Sequence, residues 1–197
     1  MKKFLGWLLW LLASLFECPP PQAARRGIAI SSGHGARTQG AVGILNEVRE
    51  ARRVVKRVAK HLGDMGVAVA EFHDDASTTQ GQNLDTIIGW HNRQKRDMDV
   101  SVHFNAFAPT DVPRGTEVLY LSAVEAAAKV SNAIAVSGGF RDRGAKNRTG
   151  LRFLNGTERP AILIEVCFVD SATDARLYGE NFDAICRAIA DALAGAG

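Results

Sequence analysis

Gly27-Ile-Ala-Ile-Ser-Ser-Gly-His-Gly35 opens as a short strand and ends as a turn: two isoleucines around an alanine, two serines, then an imidazole between two glycines. Glycine reaches backbone conformations closed to other residues, so the chain can bend sharply there and present His34 just past the strand. In open α/β sheets that carboxyl edge is where ligands bind. The pattern that follows is consistent with such a sheet. β-Branched and apolar runs over 27–31, 67–72, 98–104, 116–121 and 161–169 read as strands. Between the first two, Val48, Ala51, Val55, Val58 and Leu62 recur at spacings of 3, 4, 3 and 4, which is one helix stripe. Further helices are expected over 83–96, 123–136 and 182–194. The alternation predicts an α/β fold, a single domain over 27–197 with a mostly parallel twisted sheet and helices on both faces.

Composition bounds the rest. The chain has 197 residues, 46% of them hydrophobic, which suits one globular domain able to bury its own core. With 24 Lys+Arg against 21 Asp+Glu, the net charge of +3 is too small and dispersed for a nucleic-acid binder. The basic side of the first helix, Arg49, Arg52, Arg53, Lys56, Arg57 and Lys60, reads as a solvated face. A monomer is the default expectation. Of three cysteines, Cys167 falls in an apolar strand and Cys186 in a helix, so both read as buried thiols.

Residues 1–26 differ from everything after them. Lys2 and Lys3 precede a mostly apolar run over 4–16, followed by Glu17, Cys18, three prolines and Arg25-Arg26. This is the pattern of an export signal to the periplasm or cell envelope. As a helix the run reaches roughly 20 Å, short of the roughly 30 Å hydrocarbon core. Ala23-Ala24 is a poor cleavage site, and Glu17 disfavours lipidation at Cys18. An uncleaved signal that keeps membrane contact through residues 4–16 stays open.

Four polar residues stand where packing would not put them. His34 follows the first strand. Glu47 opens the first helix, where the macrodipole also favours a carboxylate for structural reasons alone. His103 lies in Asp99-Val-Ser-Val-His-Phe-Asn105, a strand apolar enough to be central, and Asn105 shares its face. Glu165 sits inside Pro160-Ala-Ile-Leu-Ile-Glu-Val-Cys-Phe-Val169, where an isolated ionised carboxylate is costly and needs a cation, a metal site or a proton. Together they fit a catalytic metal centre: His34, Glu47 and His103 as ligands of Zn²⁺, and Glu165 as general base. The same ligand set suits other divalent ions. His61 and His91 read as packed or solvated side chains instead, and His73, with Asp74 and Asp75 after a strand, as a turn former or a substrate contact.

The segments Ile-Ser-Ser-Gly-His34-Gly, Asn46-Glu47, Gln82-Asn83, Asp99-Val-Ser-Val-His103-Phe-Asn105, Gly115-Thr-Glu-Val-Leu-Tyr, Arg143-Gly-Ala-Lys146 and Pro160-Ala-Ile-Leu-Ile-Glu165-Val-Cys-Phe168 occur in one order and spacing. In these the chain resembles the zinc-dependent N-acetylmuramoyl-L-alanine amidases of the amidase 3 type, found in cell-wall hydrolases and phage endolysins. The resemblance covers 27–195. It implies zinc held by His34, Glu47 and His103, Glu165 as catalytic base, peptidoglycan as substrate, and cleavage between N-acetylmuramic acid and the L-alanine of the stem peptide. Asn105 becomes a candidate to orient substrate, and Arg143 with Lys146 a candidate to meet a stem-peptide carboxylate or simply to lie on the surface. Ala36 replaces a second glycine common after the His-Gly pair. About twenty residues between Tyr120 and Arg141 leave no room for the inhibitory helix of regulated relatives, and no wall-binding module is expected beside the catalytic domain. Compactness and the N-terminal segment favour a phage or prophage endolysin over an autolysin. A zinc carboxypeptidase trimming wall peptides is the alternative.

Overall fold

The computed structural model describes residues 27–195. The segment read as an export signal or membrane anchor, Cys18 included, lies outside the described residues. Among those described the order is β1 (Gly27–Ser32), α1 (Glu47–Asp64), β2 (Ala68–Phe72), α2 (Gln80–Asn92), β3 (Met98–Asn105), β4 (Thr116–Tyr120), α3 (Val124–Gly138), β5 (Asp142–Asn147), α4 (Arg152–Gly156), β6 (Ala161–Phe168) and α5 (Ala172–Ala194). No helix among the described residues is long and apolar enough to cross a membrane.

The strands form one sheet in the order β2-β1-β3-β6-β4-β5. All pairs are parallel except β4 with β6, so β4 and β5 run against the other four strands. After β1 the chain moves outward to β2 through α1, then returns across β1 to β3 through α2. The two helices therefore pack on opposite faces. The carboxyl ends of β1 and β3 frame the crevice where this direction reverses.

Alternation along the strands sorts the two faces. Ile28, Ile30, Val100, Val102, Ile162 and Ile164 point to the face covered by α1, α3 and α5, where Val54, Val58, Ile134, Ile185 and Ile189 join them in one fully buried core. Each such side chain contributes roughly 1.5–3 kcal/mol by leaving water. The opposite face carries a smaller cluster of Ile87, Leu119, Phe153, Leu154, Ala161 and Leu163 under α2 and α4. Caps fix the helix starts: Asn46 accepts from the Arg49 amide, Thr79 from that of Gln82, and Ser171 from that of Asp174.

Between the small cluster and the sheet edge lies a buried polar network. His91 donates through Nδ1 to Asp99 at 2.7 Å, and Ser31 Oγ donates to its Nε2 at 2.9 Å. Arg96 clamps the same carboxylate at 2.8 and 3.0 Å. Burial keeps the His91 imidazole below its ordinary value although Asp99 pulls the other way. Burial pushes Asp99 up, but the bonds from His91 and Arg96 outweigh it and hold the carboxylate below its ordinary range. Ser31, His91 and Asp99 have the connectivity of a hydrolase triad. With Ser31, His91 and Asp99 at 0% exposure, no substrate reaches them, and the network serves to lock α2 onto β1 and β3.

The sequence reading needs correction in four places. The strand β5, Asp-Arg-Gly-Ala-Lys-Asn, has no apolar alternation because it is an exposed edge strand broken by a bulge at Gly144, where φ is +77°. The short α4 carries too few residues for a periodic signal. The last helix begins at Ala172, ten residues before the predicted 182, and is interrupted at Asn181, so periodicity captures only its second half. The basic side of α1 is also less free than expected. Glu50, 1% exposed, is held by Arg49, Arg53 and Tyr178, and Arg57 pairs with Asp183. Cys167 and Cys186 are buried free thiols, as expected.

Candidate active site

His34, Glu47 and His103 converge where the crevice opens. One ligand atom from each lies within 4.8 Å of the other two. Glu47 Oε1 stands 3.0 Å from His103 Nδ1 and 3.5 Å from His34 Nε2, and the two rings meet edge to face. Ligands of one tetrahedral ion at about 2.1 Å are separated by about 3.4 Å, so the spacing suits a divalent metal.

Each ligand is placed by local structure. Glu47 is the first residue of α1, and its carboxylate accepts from the Ala41 amide at 2.6 Å and the Phe104 amide at 3.1 Å. His34 follows Gly33, whose carbonyl accepts from Asn83 Nδ2 at 2.9 Å and whose amide donates to Val102 at 3.0 Å. Gly33 is required by the opposite side of the site: a Cβ there would stand 1.7 Å from His103 Nε2. Gly40 is similarly constrained, with Glu47 Oε2 at 2.8 Å from a notional Cβ.

Glu165 is the register partner of His103 on β6, and Glu117 of β4 is the register partner of Glu165. These three lie side by side on the less covered face. Burial, opposed by His103 and reinforced by Glu47 and Glu117, pushes the Glu165 carboxyl up to about 7. Its Oε2 is buried and makes no hydrogen bond, as is His34 Nδ1. Burial lowers His34, and His103 lowers it further against the pull of Glu47. Burial also acts to lower His103, but the bond to Glu47 and the charges of Glu165 and Glu47 raise it overall. Glu47 is pushed up by burial yet held below its ordinary range by the two imidazoles and the Ala41 amide. A proton on His103 thus occupies the electrostatic well that a cation would fill. Two imidazoles and a carboxylate at this spacing, with the unbonded Glu165 Oε2 beside them, fit the zinc ion that the resemblance implies.

The remaining sequence candidates meet at Glu117, which the sequence reading passed over. Asn105 Nδ2 donates to Glu117 Oε1 at 3.2 Å and Arg143 Nε to Glu117 Oε2 at 2.8 Å. The signal was available: Glu117 interrupts the apolar run Thr-Glu-Val-Leu just as Glu165 interrupts its own strand. His73 sits behind the site, its Nδ1 3.0 Å from Ser32 Oγ. His61 pairs with Asp183 away from the crevice. Lys146 projects from the same face of β5 as Arg143, because the Gly144 bulge restores the alternation between them.

The family model described as N-acetylmuramoyl-L-alanine amidase, amidase 3, matches residues 28–195. An uncharacterised protein of Clostridium perfringens strain 13 is 30% identical over 177 residues, covering 84% of this chain and 51% of that protein. The chain thus spans about half the length of the curated relatives it matches. The catalytic domain of the endolysin CD27L, which targets Clostridia difficile, shares the fold at a TM-score of 0.79 with 24% identity, covering 86% of this chain and 97% of that one. The catalytic domain of CwlV, an N-acetylmuramoyl-L-alanine amidase from Bacillus (Paenibacillus) polymyxa, gives 0.73 with 26% identity, covering 85% and 96%. Since the match runs from β1 through the end of α5 and takes in His34, Glu47, His103 and Glu165, the chain belongs to the amidase 3 family of N-acetylmuramoyl-L-alanine amidases.

Proposed function

We propose that this chain hydrolyses the amide between N-acetylmuramic acid and the L-alanine of the stem peptide in peptidoglycan. The observation that carries the reading is the convergence of His34, Glu47 and His103 with Glu165 in register beside them, its Oε2 unbonded. His34, Glu47 and His103 would hold Zn²⁺, which when bound supplies a Lewis acid that polarises the amide carbonyl and makes water a better nucleophile. Glu165 takes a proton from the attacking water as its oxygen bonds to the carbonyl carbon. It then returns that proton to the alanine nitrogen as the carbon–nitrogen bond breaks, and the second proton of the water passes to the released amine, leaving a lactyl carboxylate and an ammonium terminus. One carboxyl thus serves both halves of that exchange. Asn105 and Arg143 fix Glu117 next to Glu165 and stand where substrate enters. The family match is to amidases, and no feature of the site favours the carboxypeptidase alternative.

Within this reading, residues 27–197 form the catalytic domain and residues 1–26 export it to the envelope or keep it at the membrane, as a phage or prophage endolysin or an autolysin. α3, the helix joining β4 to β5, packs on the face away from the site, which suits an enzyme that needs no activator. Digestion of purified peptidoglycan by the full chain, followed by mass spectrometry of the new ends, tests the activity. Free L-alanine amino termini on intact stem peptides, lost with a chelator and restored by zinc, are expected. Shortened peptides still joined to muramic acid would overturn the proposal.

A further inference from the structure

Beyond the metal ligands, the open face ends in two arginines set on one ring. The Arg143 guanidinium lies 5.1 Å from the centroid of Phe168, and that of Arg114 lies 5.6 Å from it and 4.7 Å from the centroid of Phe107. Arg143 gives its Nε to Glu117, and its two Nη groups make no hydrogen bond among the described residues. Arg114 has no carboxylate partner among the described residues, and its buried Nε is unpaired. Arg143 thus divides its carboxylate with Asn105, while Arg114 gives Nη2 only to the Ala108 carbonyl at 3.4 Å. Both arginines are only half-buried, and their unused N–H groups are open to an anion from outside the chain. Arginine forks suit carboxylates in particular, through paired N–H bonds.

The register places this pair relative to the reacting bond. Phe168 faces Asn105 and Glu165 faces His103, so Phe168 lies two β3 positions further toward the sheet edge, about 7 Å on. In an extended stem peptide the α-carboxyl carbon of the residue after L-alanine lies about 7 Å from the scissile carbonyl carbon. That residue, a D-glutamate joined through its γ-carboxyl, keeps its α-group outside the peptide chain as either a carboxylate or a carboxamide.

We infer that Arg114 and Arg143 bind the free α-carboxylate of the residue that follows L-alanine, and so make the enzyme selective for acidic over amidated stem peptides. This rests on the amidase reading above, which supplies the orientation of the substrate. Phe107 and Phe168 hold the guanidinium planes in place, and Glu117 keeps Arg143 from swinging out of the cleft. Such a site discriminates through charge and through the lost acceptor, because a carboxamide leaves N–H groups facing N–H groups.

The test uses the full zinc-loaded chain and two muramyl tripeptides that differ only in that α-group. Hydrolysis is measured for both, and binding of the two corresponding free tripeptides by calorimetry. The expected result is a preference of at least about tenfold for the acid in both kcat/KM and Kd, the scale of one charge-assisted contact. Arg114→Gln and Arg143→Gln should each shrink that ratio toward one, and Arg143→Lys should restore part of it. Melting temperatures identify any variant that fails to fold, and Arg143→Lys, expected to give a ratio above one but below the native one, then decides. Equal use of acid and amide by the native enzyme, or a preference untouched in both glutamine variants, overturns the inference while leaving the amidase intact. Hydrolysis of neither tripeptide, or of any muramyl peptide, overturns the amidase reading itself even if the acid peptide binds more tightly.

Discussion

The two faces of this one sheet are built to opposite rules. Under α1, α3 and α5, the central strands present Ile28, Ile30, Val100, Val102, Ile162 and Ile164, all buried in one apolar core. Under α2 and α4 only the part nearest the amino ends of β1, β3 and β6 is sealed, first by a small apolar cluster and then by the His91 network. Beyond that seal the same strands carry His103, Glu165 and Glu117 in adjacent register. Ile164 and Glu165 are neighbours in sequence, yet one is fully buried in the larger core while the other has a buried oxygen with no partner. Stability is thus concentrated on one side and unsatisfied polarity on the other, where a ligand can satisfy it.

Substitutions on either side should separate these roles. Glu165→Gln carries the largest expected effect: a loss of about 10²- to 10⁴-fold in hydrolysis, with metal content and melting temperature maintained, because the amide removes a strained buried charge without altering shape. A rate within a fewfold of the native one sinks the base assignment. On the neighbouring position, Ile164→Ala should cost about 2–5 kcal/mol of stability by opening a cavity in the larger core. Denaturant unfolding reads that loss, and zinc affinity of the folded fraction should stay near native. If Ile164→Ala instead abolishes metal binding in folded protein, the division between faces is wrong.

Gly33→Ala probes the boundary between the two. A methyl group there collides with the His103 ring, so the ring must shift by an ångström or more, and misplacement on that scale costs about 10²-fold in rate. Kinetics and zinc titration of the variant should both report it. An alanine tolerated without loss would mean that His103 is free to move and does not need its position.

The smallest effect concerns the seal. His91 is held below its ordinary value of 6.5, so the unfolded chain binds its proton first as the solution is acidified. Stability from this group is complete above about pH 6.5 and falls as pH drops toward the folded value. Asp99, also lowered, adds its own loss only at more acidic pH, as its folded value is approached. Between about pH 7 and 5 the native chain should therefore lose more unfolding free energy than His91→Gln does. Equal slopes would remove the titrating role of His91.

Much of this division was legible in the residues. His34 stood out because glycines flank it, and Glu165 because a carboxylate inside Ala-Ile-Leu-Ile has no innocent place in a strand. The sheet class followed from β-branched runs separated by one clear helix stripe. What stayed hidden has a common cause: the edge of the sheet leaves no periodic mark. β5 satisfies one pairing edge only and needs no apolar face, so Arg143 carried no strand assignment and was known only from the resemblance. Arg114 gave no signal at all, since its meaning depends on Phe107 and Phe168 meeting it in space. Glu117 could have been found by the same reasoning that found Glu165.

The most direct test of the account locates the metal. Crystals of the full chain grown with zinc, measured at the zinc absorption edge, should show one anomalous peak between His34, Glu47 and His103 within reach of Glu165. Metal content in solution should be one ion per chain, lost in His103→Ala and retained in Glu165→Gln. A peak elsewhere, or metal content unchanged by removal of His103, would contradict the claim that the open face of the sheet is a metal-dependent hydrolytic site.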